Sequence, residues 1–155
     1  MGRQDEGEKV VASNRRARHD YELLERFECG IQLTGDEVKS LRGGHASLVD
    51  CFGRVRGGEV WLEGLHIPAY EQGDKRTHLP LRPRKLLLHR REIEQIAREV
   101  NEKGLSLIPL RIFFTHGMAK VEVALARGKR KYEKRQSIAK REAQREMERA
   151  AGRRR

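Results

Sequence analysis

The residues with the clearest chemical potential are cations set beside turns and element ends. Asn14-Arg15-Arg16-Ala17-Arg18-His19 gathers three arginines and a histidine just ahead of a strand-like run. Arg82-Pro83-Arg84-Lys85 places three cations before the apolar Leu86-Leu87-Leu88, and Lys39 and Arg42 lie three apart on one face of a short helix. Cations fixed to rigid elements hold phosphates in register. Phosphate contact or stacking is therefore the chemistry expected of Arg16, Arg18, His19, Lys39, Arg42, Arg84 and Lys85. Any one cluster is indistinguishable from solubilising surface charge; their repetition at element ends is what points to a polyanion.

Catalysis has no comparable constellation. The six histidines (His19, His45, His66, His78, His89, His116) form no HExxH and no paired metal spacing, and GxxxxGK[ST] and GxSxG are absent. Asp36, Glu37 and Asp50 could imitate paired carboxylates, but adjacent acids are common at helix starts. His66 reads as a packed or edge histidine. Cys29 and Cys51 form no CxxC and read as reduced core residues. No catalytic residue, metal or cofactor is expected.

The charge is unevenly placed. The 155 residues carry 34 Lys/Arg against 23 Asp/Glu, a formal +11 with a pI near 10.2. Residues 129–155 hold twelve Lys/Arg and four Glu, a net +8, which leaves a nearly balanced body. The reading is a flexible segment 1–12, a nucleic-acid-binding domain 13–128 and a basic tail 129–155. The tail's sizeable apolar side chains are Tyr132, Ile138 and Met147, too few to offset its ordering entropy, so it is expected to be disordered when free. Its lack of Gly and Pro up to Ala151 still permits a helix on an anionic surface. The polar start and the lack of an apolar stretch near 20 residues suggest a cytoplasmic protein without a membrane span.

These groups must be carried by strands. Cys51–Arg56 and Glu59–Ile67 flank Gly57-Gly58, and Leu105–Thr115 and Met118–Ala126 flank His116-Gly117, two hairpin patterns. Asp20–Thr34 reads as a long bent strand with Gly30 at a bulge or bend. Asp36 is expected to cap a helix ending at Gly43-Gly44. Ile93, Ile96, Ala97 and Val100 mark a stronger helix over Arg90–Lys103, stopped by Gly104. Pro68–Pro83 should be loop. Five or six short strands point to a small closed barrel of the oligonucleotide-binding type; a split sheet with one packed helix is the alternative. Only eight Phe/Tyr/Trp are present, mostly on strands where core packing is the default, so shape recognition of folded RNA is favoured over single-strand stacking.

Several segments, in order, resemble the SmpB family. They are Asn14 to Tyr21, Glu28-Cys29-Gly30-Ile31, Gly35 to Arg42, Tyr70-Glu71-Gln72-Gly73, Arg82 to Glu92 and Ala124 to Lys129. The resemblance implies a mainly β, six-stranded barrel with flanking helices that acts in trans-translation. Its implied partners are the tRNA-like domain of transfer-messenger RNA, the stalled 70S ribosome with its 16S rRNA decoding centre and mRNA channel, and elongation factor Tu with GTP through the charged RNA. The protein would stand in for an anticodon arm, its tail folding into a helix in the empty mRNA channel.

The resemblance ties Asn14, Glu28 and Leu87 to RNA binding. An acid such as Glu28 cannot favour a phosphate, but it can accept from a base edge or a 2′-OH, or orient an arginine. Leu87 fits core packing as well as contact. In the tail, Tyr132 is matched to stacking on a decoding-centre base and Glu133, Lys134 and Arg135 to the segment beside it, with Lys140, Arg141 and Arg145 further along the channel. Glu133 stands for a usual Asp, Pro83 for a commoner Thr and His45 for a frequent Lys. The competing functions are a general RNA-binding barrel without that partner and a small metal-dependent nuclease.

Overall fold

A computed structural model describes residues 8–73, 75–76, 78–128 and 142–152. Its elements are β1 (Lys9–Ser13), α1 (Ala17–Asp20), β2 (Tyr21–Ile31), α2 (Gly35–Arg42), β3 (Phe52–Arg56), β4 (Glu59–Glu63), β5 (Arg84–Leu87), α3 (Arg90–Lys103), β6 (Ser106–Thr115) and β7 (Met118–Gly128). A further helix, α4, covers 142–152.

The strands form one antiparallel sheet in the order β1-β6-β3-β4-β5-β2-β7, and β7 also pairs with β6. Six strands therefore close on themselves in a ring, with β1 added to β6. Closure removes the exposed edges of an open sheet and decides for the closed architecture over the split sheet. Both hairpins form where expected. Gly57 and Gly58 have φ of 61° and 75°, and His116 and Gly117 of 49° and 74°, the left-handed pairs a two-residue turn demands.

Alternation sorts the side chains. Cys29, Val60, Leu62, Leu86, Ile112, Val121 and Val123 point into the ring and are fully buried. Helix α3 lays Ile96, also fully buried, against this core, with Ile93 and Val100 beside it. At about 1.5–3 kcal/mol per large apolar side chain, such burial outweighs anything the exposed face of α3 contributes.

Four expectations need correction. Residues 9–12 are not a loose leader: Lys9–Ser13 pair with Phe114–Arg111, because Val10-Val11-Ala12 meets β6 where β3, which joins it at Gly53↔Leu107, no longer covers its edge. The irregularity in β2 lies between Leu23 and Arg26, not at Gly30, which stays in register with both Leu87 and Lys120. Thr34 rather than Asp36 caps α2: its hydroxyl accepts from the Glu37 N–H while its own N–H donates to Glu37 Oε1, a reciprocal box. Arg84 does not face outward, as described below. Within the basic tail, residues 142–152 form α4, the helix that its pattern permits. Its residues favour helix, and Glu142–Arg145 and Glu146–Arg149 are opposite charges three apart that offset the like-charge rows at spacing four.

Candidate nucleic-acid interface

The first cluster sits on a pinned turn. The Asn14 N–H donates to the Leu110 carbonyl at 2.7 Å and its Nδ2 to the Pro109 carbonyl at 3.0 Å. Three residues on, Ala17 is buried against Ile108 and Ala126. The chain is thus anchored on both sides, and Arg15, Arg16, Arg18 and His19 are exposed. His19 Nδ1 lies 2.9 Å from the Asp20 carboxylate. Asn14, Arg15, Arg16 and Tyr21 line a cleft of about 800 Å³ whose other wall includes Val10 and Val49.

The second cluster is an outer patch over β7, β2 and β5. Gly30 pairs with Lys120 on one side and Leu87 on the other, and Glu28, two residues away on the same face, pairs with Glu122. Leu87 is 50% exposed, so it is not core; the buried neighbour is Leu86. A Cβ at Gly30 would stand 3.2 Å from Leu87 Cβ, so the bare glycine backbone seats the leucine. Glu122 is engaged by Arg26 and Arg111, each at 3.6 Å, and Arg111 also holds Glu8 at 3.0 Å. The Glu8 hydrogen bond, with help from Glu122, keeps Arg111 more basic than usual against its partial burial. Glu28 itself has no ion-pair partner among the described residues, and its cross-strand neighbour Glu122 is of like charge. An exposed acceptor, an apolar side chain and Lys120 therefore share one face. Lys120 is not among the residues expected from the sequence, although it and Glu122 alternate with the apolar Val121 and Val123.

Lys39 and Arg42 share the exposed side of α2 but belong to neither patch. Lys39 Nζ lies 5.5 Å over the Tyr70 ring and Arg42 Cζ 5.9 Å over Phe114. Lys85 faces outward on β5 in a loose pair with Glu59 at 3.5 Å.

Arg84 is the clear correction. It is fully buried and cannot touch RNA. Its Nε donates to Glu37 Oε2 at 2.6 Å and its Nη1 to the Leu65 carbonyl, while Nη2 stands beside the same carboxylate oxygen without hydrogen-bond geometry. Arg82 reaches Glu37 Oε1 from the loop side. Burial pushes the Glu37 carboxyl up, but the Thr34 N–H and the two guanidiniums outweigh it and hold it below its ordinary value. Burial lowers Arg84, and Glu37 opposes that. This triad ties α2, β5 and the preceding loop together. Burial likewise pushes the thiols of Cys29 and Cys51 up to about 12, so neither is a nucleophile.

Tyr132, Glu133, Lys134, Arg135, Lys140 and Arg141 lie outside the described residues; Arg145 is exposed on α4. Among the described residues no His/Cys/Asp/Glu group could hold a metal ion, and no helix is long and apolar enough to cross a membrane.

A closed antiparallel ring bearing clustered, exposed cations on pinned turns defines a small basic β protein of the nucleic-acid-binding class. The chain belongs to the SmpB family, whose model, described as SmpB protein, matches residues 11–153. It is 58% identical over 150 residues to the SsrA-binding protein of Salinispora arenicola, covering 97% of this chain and 94% of that one. To the SsrA-binding protein of Thermobifida fusca it is 57% identical over 155 residues, covering 99% and 97%. A solved chain described under "tmRNA-SmpB: a journey to the center of the bacterial ribosome" superposes with a TM-score of 0.64 at 51% identity, over 76% of this chain and 83% of that chain.

Proposed function

We propose that this chain is a cytoplasmic, non-enzymatic RNA-binding protein of trans-translation. It binds the tRNA-like domain of transfer-messenger RNA and brings it, with elongation factor Tu and GTP on the charged RNA, to stalled ribosomes. The observation that carries this reading is the kinship with SsrA-binding proteins along nearly the entire chain, at 57–58% identity.

This reading divides the labour. Arg16, Arg18 and His19, held by Asn14 and Ala17, meet phosphates and set the register of the RNA. Glu28 accepts from a 2′-OH or a base-edge amine, and Leu87 packs on an adjacent sugar or base. The like-charged Glu122 discourages Glu28 from folding back onto Arg26. Lys39, Arg42 and Lys85 add longer-range attraction. The tail is a separate module. Tyr132 stacks in the decoding centre, Glu133 orients its neighbours, and Lys134, Arg135, Lys140, Arg141 and Arg145 follow phosphates along the empty mRNA channel.

All strand pairings of the ring lie within residues 9–128, so ending the chain at Arg130 leaves them intact. The test compares the full chain and residues 1–130 for affinity to the tRNA-like domain and to an unrelated hairpin of equal length, at several salt concentrations. A preference for the first RNA that survives tail removal, with loss of peptide tagging, supports both modules. Equal binding to both RNAs that vanishes with the tail refutes the reading.

A further inference from the structure

Two of the chain's eight aromatic residues stand outside the core on one sheet face, which borders the Glu28 patch at β5, where Lys85 and Leu87 both point outward. Strand β3 points Phe52, Arg54 and Arg56 outward, each exposed, while Val60, Leu62 and Leu86 beneath them fill the ring. The register sets Arg54 opposite Trp61 and Trp61 opposite Lys85, a cation–indole–cation row across three adjacent strands. Trp61 is only half-buried, Phe52 is 45% exposed, and the Arg56 guanidinium lies 5.8 Å from the Trp61 ring. The row runs toward a cleft of about 540 Å³ between the Gly57-Gly58 turn, β5 and α3, at whose edge Lys85 and Arg90 stand.

We propose that this outer face of β3, β4 and β5 is a second RNA site, which takes an unpaired RNA segment by stacking one base on Trp61 and holding its flanking phosphates with Arg54, Arg56 and Lys85. Aromatic side chains interleaved with cations on a sheet are what sequence-tolerant single-strand binding requires. A paired helix buries its base faces and cannot use the indole. The cations can be released at little cost. Arg54 meets Glu63 at 3.7 Å and Lys85 meets Glu59 at 3.5 Å, both loose surface pairs of small worth. Arg56 contacts no carboxylate among the described residues and rests on the indole, from which it can pass to a phosphate as a base takes its place. The site shares Lys85 with the tRNA-like-domain reading, but its test reads Trp61, Arg54 and Arg56, none of which that reading uses, so either can fail while the other stands.

Trp61 is the chain's single tryptophan, so the full-length protein reports on itself. The experiment titrates it with single-stranded octa-adenylate and with a blunt eight-base-pair RNA duplex, following Trp61 fluorescence, and follows the anisotropy of end-labelled octa-adenylate for variants. The expected result is quenching by octa-adenylate and not by the duplex. Trp61→Ala should weaken octa-adenylate binding about tenfold, and Trp61→Phe by no more than about threefold. Arg54→Ala with Arg56→Ala should reduce the slope of log affinity against log salt by about 1.4, two contacts at about 0.7 each for single strands. Should Trp61→Ala not fold, this exposed arginine pair decides the question, and an unchanged slope overturns the proposal. Absence of quenching overturns it too. So do equal quenching by the duplex and affinity unchanged in folded Trp61→Ala, since the last would assign the binding to the cationic tail or another basic surface.

Discussion

Replacing Glu37 by Gln tests whether Arg84 belongs to the fold rather than to the RNA interface. The change keeps the side chain's shape but removes its charge, and Arg84, fully buried, then keeps a guanidinium with no counter-ion. Arg82 cannot help, since it brings a second positive charge to the same spot. Breaking a buried pair in this way costs about 3–5 kcal/mol, a large share of the roughly 5–15 kcal/mol that holds a domain. With a urea slope of about 2 kcal/mol per M, the midpoint should fall by about 1.5–2.5 M, read from the fluorescence of Trp61. Arg84→Met should cost less, because Glu37 retains Arg82 and the Thr34 N–H. The double change Glu37→Leu with Arg84→Met should recover at least about 1.5 kcal/mol relative to the sum of the single changes, since an apolar pair replaces two buried charges. A cost for Glu37→Gln below about 1 kcal/mol, or additivity of the double change within about 0.5 kcal/mol, would return Arg84 to the candidates for RNA contact.

The same carboxylate sets a pH dependence. Its value is depressed in the folded state, so its contribution is complete above the ordinary value near 4.5 and fades as pH falls through the lower folded-state value; Glu37→Gln should flatten that acid limb of stability. The thiols behave oppositely. With folded values raised from 9.0 to about 12, their protonated forms favour folding, and that contribution is lost as pH rises from about 9 toward 12. Iodoacetamide at a pH of about 8, below the ordinary thiol value, should leave both cysteines unmodified in the native chain and alkylate both in urea, as intact mass would show. Gly64→Ala should destabilise by about 2–3 kcal/mol in denaturant titration, because its φ of +79° strains any side chain and its new Cβ would stand 2.6 Å from the Asp50 carbonyl.

Much of the architecture was legible because it rests on local rules. Two-residue turns at Gly57-Gly58 and His116-Gly117, the apolar spacing of α3 and its stop at Gly104 each depend on neighbours in sequence. Most of what differs depends on partners distant in the chain, the cap of α2 being the local exception. Lys9–Ser13 becomes a strand only because β6, about a hundred residues away, offers it an edge. The cap of α2 fell on Thr34 rather than Asp36 because the Thr/Glu box outcompetes a lone acid. Of the expected site, the Asn14–His19 turn and the Glu28–Leu87 patch each assemble on the surface; Lys39 and Arg42 stand apart on α2, and Arg84 leaves the surface altogether. The Trp61 row was invisible because aromatic residues on strands default to the core, and only the register shows which way this one points.

Strand β5 brings fold and function together on four residues. Arg84-Lys85-Leu86-Leu87 reads as two cations followed by two apolar residues, which sequence logic assigns as charges out and leucines in. The two-residue alternation instead sends Arg84 and Leu86 inward and Lys85 and Leu87 outward. One charge is therefore buried and one leucine exposed on a single short strand, each against its solvation preference. The buried arginine is accounted for by Glu37. The half-exposed leucine sits over the backbone of Gly30 and lines the cleft beside α3. An exposed leucine is ordinary by itself, but its place beside Glu28 and Lys120 makes it a candidate contact, and a test separates fold from function. Leu87→Thr should shift stability by less than about 0.5 kcal/mol, the usual range for a surface change. Affinity for the tRNA-like domain should nevertheless drop several-fold, together with that of Glu28→Gln, its neighbour on the patch. A Leu87→Thr chain that loses stability in step with affinity would return Leu87 to the core and remove the outer patch from the interface.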